Sequence, residues 1–284
     1  MTKGVCQFAI NNNLWNYFEF ALANCKQIKL LSGLKTCIIT DQHSVDANKG
    51  HPCLKYVDDI VIKEELDRNP SMRRVYDADQ DRECKWFNWS RPEIGDLSPY
   101  DQTLLIDADL MIYDTSLFWC FDTEYDLLFT NQCHDATQQD KIIDYKRVYK
   151  HGVPLLWATV FYFRKNKKTK QFFDLWKYIR DNNGYYSRLF NFNLNLYRND
   201  YSQAVARHIW DANTEQADYF PNKVQAISDN TKLVKINKDN FVIAYRSGSA
   251  RFDGRWQLLK IPKQNIHFMN KFDLKQIVED IVYV

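Results

Sequence analysis

Two aspartates interrupt an apolar stretch of the chain, the segment 103–114 with the sequence TLLIDADLMIYD. The continuous apolar residues before them predict a strand that is buried on both faces, as in a parallel sheet covered by helices. Because side chains two apart in an extended chain point to the same side, Asp107 and Asp109 converge on one point. Paired carboxylates repel each other unless a hard divalent cation such as Mg²⁺ or Mn²⁺ holds both of them ionised. The alternative is that both aspartates only mark the end of a strand.

The segments before these aspartates alternate between strand and helix. Strands are predicted at 4–10, 35–40 and 59–62, with a helix between residues 14 and 33. This alternation predicts an α/β fold with a mostly parallel sheet, in which ligands bind at the carboxyl ends of the strands. Asp107 and Asp109 come at the predicted carboxyl end of the strand that begins at residue 103, where a ligand is expected.

After the aspartates the pattern continues with buried strands and amphipathic helices. Two strands and two helices are predicted, at 125–130, 155–163, 170–181 and 199–211. Gly184 is the predicted end signal of the first of these helices. Asp200 and Gln203 have the spacing of a capping box at the start of the second.

Three further regions are predicted from composition and pattern. The charge-rich residues 63–99 are interpreted as a loop followed by a helix that packs beneath the aspartate strand. Short strands are predicted at 233–236 and 241–245, next to a loop at 246–256 that is rich in Gly, Ser and Arg. Residues 265–271 precede a final amphipathic helix.

Composition bounds the class of protein. With 284 residues, 45% of them hydrophobic, and no linker, the chain is predicted to be a single domain, 1–284. Seven scattered cysteines without a C-x-x-C pair indicate buried thiols in a reducing compartment. No leader and no apolar run of membrane-spanning length is recognisable, so we expect a cytoplasmic protein, bacterial or from a phage-infected host, without membrane or obligate protein partners. The abundance of Asn, Lys, Ile, Tyr and Phe is typical of an A+T-rich gene.

Four segments together resemble the GT-A glycosyltransferases, most closely the glycogenin-like and galactosyltransferase-like retaining enzymes. They are IDADLMIYD (106–114), VPLLWATVFYFRKN (153–166), NDYSQAVA (199–206) and NIHFMNK (265–271). The resemblance implies a Rossmann-like, mostly parallel central sheet flanked by helices. It also implies a nucleotide-binding half, 1–114, and an acceptor-side half, 115–284, which ends in a metal and phosphate segment.

The resemblance further implies roles for particular residues. Asp107, Asp109 and His267 would hold Mn²⁺, or Mg²⁺, against the donor diphosphate, which Lys271 would contact. Asp200 would face the reactive carbon of the sugar as a catalytic acid, beside Asp109. The implied donor-binding residues are Ala9, Ile10, Asn11, Asp41, Lys85, Asp107, Lys271, Arg246 and Arg251. Lys85 takes the place of a helix lysine of the family. Arg246, Arg251 and Arg255 are alternatives to Lys271 as residues that bind the phosphates. The segment Trp157-Ala158-Thr159 would lie beneath the sugar.

The implied function is transfer of a sugar from a nucleoside diphosphate sugar, with UDP favoured, to a hydroxyl acceptor. Retention of configuration is implied by the resemblance alone. One acceptor is a hydroxymethylated base in phage DNA, held by cations and aromatic residues at Arg73-Arg74, Trp86, Trp89, 165–170 and Tyr185-Tyr186. The net charge of only +2 argues against it, and a cell-surface glycan or a protein is the alternative acceptor.

Two other classes of protein are considered. A nucleotidyltransferase would carry a glycine-rich, basic loop after its first strand, whereas FAINNN (8–13) contains neither glycine nor lysine. A non-catalytic nucleic-acid or carbohydrate binding protein would not need convergent carboxylates.

Overall fold

The computed structural model describes residues 1–64, 71–76, 81–137, 153–192, 197–211, 218–221, 223–228, 230–250 and 253–283. The strands, in chain order, are β1 Lys3–Phe8, β2 Lys35–Thr40, β3 Asp59–Ile62, β4 Ser71–Tyr76, β5 Asp81–Trp86, β6 Gln102–Asp107, β7 Leu110–Met111, β8 Leu127–Thr130, β9 Cys133–Asp135, β10 Trp157–Arg164, β11 Val224–Ile227, β12 Thr231–Ile236, β13 Asn240–Ala250, β14 Asp253–Pro262 and β15 Ile266–Phe268. The helices are α1 Tyr17–Ser32, α2 Gln42–Asp46, α3 Ile94–Leu97, α4 Lys167–Asp181, α5 Asn183–Leu189, α6 Asn199–Asp211 and α7 Lys271–Tyr283, and 3₁₀ turns occur at Pro52–Tyr56, Arg91–Glu93 and Phe118–Asp122. No helix in these ranges is long and apolar enough to cross a membrane.

A six-stranded sheet of order β3-β2-β1-β6-β10-β8 forms the centre of the fold. The strands β3, β2, β1 and β6 are parallel, whereas β10 runs antiparallel to both β6 and β8. The predicted α/β class with a mostly parallel central sheet is therefore confirmed. Because β10 is antiparallel, its first residues lie beside the carboxyl end of β6, with Val160 opposite Ile106.

Helices cover both faces of this sheet because alternate side chains of each strand point to opposite sides. Val5 packs in one apolar cluster with Ile28 of α1, and its neighbour Cys6 packs in another with α4 and α6. The predicted inward face of α4 is confirmed, since Phe172, Phe173, Trp176 and Ile179 are all buried.

Local signals set several element ends. The side chain of Asn16 caps α1 by accepting a hydrogen bond from the backbone N–H of Glu19. Gly33 ends the helix with φ of +68°, a left-handed conformation that favours glycine. The prediction for Gly184 is wrong, because α4 ends at Asp181 and Gly184 lies inside α5.

Two predicted irregular regions are hairpins. Instead of a helix, the 63–99 region contains β4 and β5 as an antiparallel hairpin, followed only by a 3₁₀ turn and the short α3. The predicted loop at 246–256 is a continuation of paired strands, with Arg246 opposite Trp256. On the first hairpin Arg73, Arg82 and Lys85 are exposed, whereas Cys84 is buried. The polar composition of these strands therefore concealed them from a reading of local pattern.

Gly4 lies in the middle of β1 and is a test of packing in the central sheet. A Cβ atom at this position would overlap the ring of Tyr100, which is buried and donates a hydrogen bond from its hydroxyl to Asp59. We therefore expect Gly4→Ala to lower the free energy of unfolding by about 1–3 kcal/mol in urea denaturation, as overpacking does. Gly184→Ala is the matched control, because a Cβ there meets nothing within 4 Å and alanine favours helix. Equal stability of the two variants would contradict the packing at Gly4.

Candidate active site

The two aspartates and one histidine form a compact cluster at the carboxyl end of β6. Ligand atoms of Asp107, Asp109 and His267 all lie within 4.8 Å of one another. His267 reaches the aspartates because β15 pairs antiparallel with β7, which places it opposite Leu110. The backbone N–H of Phe268 also donates a 2.9 Å hydrogen bond to the carbonyl of Asp109. The three residues predicted as metal ligands are thus brought together by pairing of segments far apart in sequence.

Asp109 is buried between two potential cations. Its Oδ2 lies 2.5 Å from Nζ of Lys271, and its Oδ1 lies 3.2 Å from Nε2 of His267. Burial acts to raise the pKa of Asp109, but the charge of Lys271 and then that of His267 outweigh it and hold the pKa well below its ordinary range. Asp109 is therefore ionised at neutral pH, as a metal ligand must be.

The cluster fits a divalent cation. Octahedral coordination with bonds of about 2.1 Å places ligand atoms roughly 3 to 4 Å apart, and the ligand atoms of these three residues all lie within 4.8 Å of one another. The Nδ1 atom of His267 is buried and has no hydrogen-bond partner among the described residues. Carboxylates together with an imidazole suit Mn²⁺ better than Mg²⁺.

Arg91 is a site residue that sequence reasoning missed. It is buried, and its guanidinium contacts Oδ1 of Asp107 through one nitrogen and the carbonyl oxygen of Ala158 through another. Lys85, which was predicted to contact the donor in place of a helix lysine of the family, lies on β5 and is exposed, although it lines the cavity described below. The prediction of its helical setting is wrong. Arg91 follows the missed hairpin and starts the 3₁₀ turn before β6. No local pattern in the sequence distinguishes it, because its contacts are with residues far away in the chain.

A cavity of about 270 Å³ opens beside the cluster. Asp200 lines the same cavity from the first turn of α6. Its Oδ1 accepts a 3.0 Å hydrogen bond from the backbone N–H of Ala158, and its Oδ2 accepts one of 2.8 Å from Arg198. The predicted capping box is wrong, because the side-chain N and O atoms of Gln203 are buried with no hydrogen-bond partner among the described residues. Asp200 is thus oriented by β10.

Other predicted donor residues occupy the end of β1 and the start of α2. Ile10 lines the cavity, and Ala9 is buried behind it. Asn11 accepts a hydrogen bond from the backbone N–H of Phe18, and Asp41 accepts one from that of Ser44. These two polar side chains therefore cap helices beside the cavity, and their roles toward a donor remain predictions.

Two of the predicted C-terminal arginines, Arg246 and Arg255, are not among the described residues that line the cavity. Arg246 is on β13, with its guanidinium carbon 4.8 Å from the ring centroid of Trp256. Arg255 is exposed on β14, and Arg251 lies outside the described residues. Lys271, by contrast, lines the cavity.

Two aromatic residues complete the cavity wall. Tyr17, at the start of α1, has a pKa raised well above its usual value by burial and then by the nearby charge of Asp109, so its hydroxyl stays protonated. The indole N–H of Trp157 is buried and has no hydrogen-bond partner among the described residues. Both side chains therefore contribute to the wall that a bound ligand would contact.

The charges that line the cavity favour an anion. Each lining carboxylate already has a cationic partner: Arg91 for Asp107, Lys271 for Asp109 and Arg198 for Asp200. Two additional cations, Arg73 and Lys85, line the cavity from the β4–β5 hairpin. The lining therefore carries more positive than negative charge even before a metal ion is counted, which suits a phosphate-bearing ligand.

We expect Arg91→Lys to weaken Mn²⁺ binding about 10–100-fold, the usual cost of losing a group that orients a metal ligand. A lysine cannot contact both Asp107 and Ala158, because it lacks the fork of the guanidinium. Electron paramagnetic resonance of free Mn²⁺ measures the binding. Arg188→Lys is the matched control, since Arg188 is exposed on α5. Unchanged Mn²⁺ affinity in Arg91→Lys would contradict the positioning role.

The fold and the cluster together define an α/β protein with a candidate divalent-cation centre at the carboxyl edge of its sheet. A scan against protein-family models and a search of curated proteins find no match. Solved structures with a similar fold include the glycosyltransferase GlyE of Streptococcus pneumoniae, at 13% identity and a TM-score of 0.39, covering 77% of this chain and 45% of that one. The chain thus spans less than half the length of GlyE.

Two other glycosyltransferase structures are comparable. The galactosyltransferase LgtC, solved with donor and acceptor sugar analogues, shares 11% identity at a TM-score of 0.44, with coverage of 72% of this chain and 70% of that one. Mouse xyloside xylosyltransferase 1 shares 8% identity at a TM-score of 0.44, with coverage of 73% and 82%. These likenesses are distant.

Proposed function

We propose that this chain is a metal-dependent glycosyltransferase that moves a sugar from a nucleoside diphosphate sugar, with UDP favoured, to a hydroxyl acceptor. The observation that carries the proposal is the opening of the Asp107, Asp109 and His267 cluster into the same positively charged cavity as Asp200 and Lys271. A non-catalytic binder needs no convergent metal ligands, and a nucleotidyltransferase is disfavoured because FAINNN (8–13) after the first strand contains neither glycine nor lysine.

Departure of the diphosphate builds negative charge on the leaving oxygen. Asp107, Asp109 and His267 would hold Mn²⁺ or Mg²⁺, which supplies Lewis-acid stabilisation of that charge when bound. Lys271 adds a fixed positive charge from the chain itself, because its buried ammonium is held by Asp109 and by the carbonyl of Met269. Pairing with Asp109 keeps Lys271 oriented before the donor binds.

Loss of the leaving group also gives the sugar oxocarbenium character. The Asp200 carboxylate is held by the Ala158 N–H and by Arg198, so that its charge can stabilise the positive carbon without reorienting. Trp157 lines the same cavity, in the segment that the family resemblance places beneath the transferred sugar. Retention of configuration is proposed on the family resemblance described above.

Two acceptors fit the proposal. A hydroxymethylated base in phage DNA is supported by Arg73, Lys85 and Trp86, which line the cavity from the β4–β5 hairpin and would contact phosphates and a flipped base. A cell-surface glycan or a protein is the other acceptor. We propose that either reaction takes place in the cytoplasm, where the free buried cysteines would stay reduced.

The proposal is tested by nucleotide release from a panel of UDP-, GDP- and ADP-sugars, with Mn²⁺ or with a chelator. We expect slow hydrolysis of one donor that requires the metal. Addition of hydroxymethylated duplex DNA or of a glycan then identifies the acceptor by acceleration of nucleotide release. If no donor binds or is hydrolysed with metal present, the glycosyltransferase proposal is overturned.

A further inference from the structure

The three-stranded sheet of β12, β13 and β14 concentrates positive charge. Residues 231–262 contain seven Lys and Arg residues but only two Asp, whereas the whole chain has a formal net charge of +2. The rest of the chain is therefore slightly acidic. A charge this segregated indicates an interaction surface, which the near-neutral total conceals.

The two faces of this sheet differ. Phe241, Ile243 and Ile261 are buried in the core, and Phe241 packs edge-on against Phe268, next to His267. Side chains in the alternate positions form what we call the outer face: Lys232, Lys235, Arg246, Trp256, Leu258 and Lys260. Register supports this grouping, because Arg246 pairs with Trp256 and Lys232 pairs with Ala244, which in turn pairs with Leu258.

Contacts confirm that Lys232, Arg246 and Trp256 share one side of the sheet. The ammonium of Lys232 lies 5.7 Å from the ring centroid of Trp256, and the guanidinium carbon of Arg246 lies 4.8 Å from it. Lys232 is on β12 and Trp256 on β14, so the lysine reaches over the small side chain of Ala244. None of the six outer-face residues is acidic.

The outer face is apolar as well as basic. Leu258 is 69% exposed and Trp256 is 41% exposed. A single-stranded nucleic acid is usually bound by several aromatic rings on which its bases stack, whereas Trp256 is the only aromatic residue among the six residues of the outer face. Aliphatic and indole groups surrounded by lysines are typical of proteins that rest on an anionic lipid surface.

We propose that the outer face docks on anionic membrane surfaces, with Leu258 and Trp256 entering the headgroup region and the lysines contacting lipid phosphates. This contact is peripheral and needs no spanning helix. It stands independently of the proposed transferase activity, but if both hold, the acceptor is one presented at a membrane. It also gives Arg246 a role outside the cavity.

Sedimentation of the full chain with lipid vesicles tests the proposal. We expect binding to equimolar phosphatidylcholine and phosphatidylglycerol vesicles and none to phosphatidylcholine alone. Since each lysine near such a surface contributes about fivefold in affinity, Lys235→Gln/Lys260→Gln should weaken binding about 25-fold. Leu258→Ser should weaken it further, and Trp256→Phe should reduce the blue shift of tryptophan emission on binding. Lys35→Gln/Lys275→Gln, which removes two exposed lysines on other elements, is the charge-matched control.

Several outcomes would overturn the proposal. Absence of vesicle binding, or equal loss in the control pair, would show that the outer face is not a lipid surface. A single-stranded oligonucleotide that binds through the same lysines while vesicles do not would assign the face to nucleic acid. A dimer in light scattering that Leu258→Ser dissociates would assign it to a second copy of the chain. None of these measurements needs a sugar donor, so failure here is distinct from failure of the transferase proposal.

Discussion

Asp109→Asn is expected to reduce metal-dependent donor hydrolysis by about 1,000-fold, since a Lewis-acid ion contributes several kcal/mol of transition-state stabilisation. Asp109 is the most buried of the three candidate ligands, and its two oxygens face His267 and Lys271 separately. An amide presents one oxygen without charge, so it holds neither the ion nor the ammonium. Nucleotide release at increasing Mn²⁺ concentration measures the loss, and excess Mn²⁺ should restore only part of it.

Asp109→Asn is also expected to lower the free energy of unfolding, and this effect can be separated from the loss of activity. Without the carboxylate, the buried ammonium of Lys271 is left uncompensated, which destabilises by about 3–5 kcal/mol. The double variant Asp109→Asn/Lys271→Met removes that buried charge and should recover much of the stability while staying inactive. Asp122→Asn is the control, because the side chain of Asp122 is 81% exposed. Full activity in Asp109→Asn would remove the metal site from the mechanism.

The second large effect is expected for Asp200→Asn, with kcat lowered about 100–1,000-fold, as when one preorganised electrostatic group is lost. The amide oxygen can still accept the hydrogen bond from the Ala158 N–H, so the fold and the donor KM should change little. Only the negative charge that would face the sugar carbon is removed. Steady-state kinetics with the identified donor separates kcat from KM.

Arg198→Gln is the companion variant for Asp200. It removes the half-exposed cation that contacts Oδ2 but leaves the carboxylate and its contact with Ala158. We expect a change of less than about tenfold, because an exposed ion pair is worth at most about 1 kcal/mol. A rise in KM with unchanged kcat in Asp200→Asn would instead show that Asp200 only positions the donor or β10.

Local patterns predicted much of the fold. The bounds of β2, β3 and α6 agree with the predicted 35–40, 59–62 and 199–211, because each is a short apolar run or an amphipathic period with clear ends. The hairpin at 71–86 was missed, and the one at 240–262 was predicted only in its first part, 241–245. The polar composition of the remaining residues hides strands that are stabilised by pairing. Such pairing is a tertiary effect that overrides local preference.

The residues of the candidate site also fall into those that the sequence predicted and those that only the structure revealed. Asp107 and Asp109 are recognisable from sequence, because an apolar strand that ends in two spaced acids is a local pattern. His267, Asp200 and Lys271 were proposed through family resemblance, and only the pairing of β15 with β7 explains how His267 meets the aspartates. Arg91 was missed, since its importance comes from contacts with Asp107 and Ala158 rather than from its neighbours in the chain.

By itself, the sequence determined the α/β class, the strand that ends in Asp107 and the helix that begins near Asp200, because these follow from local apolar periodicity and from the carboxylates at its ends. The tertiary structure decided which distant side chains join them. It placed His267, Lys271 and Arg91 around the two aspartates and put Trp256 among the lysines of one sheet face. These placements depend on strand register and on the burial of charge beside opposite charge, which are properties of the folded chain and leave no local signal in the sequence.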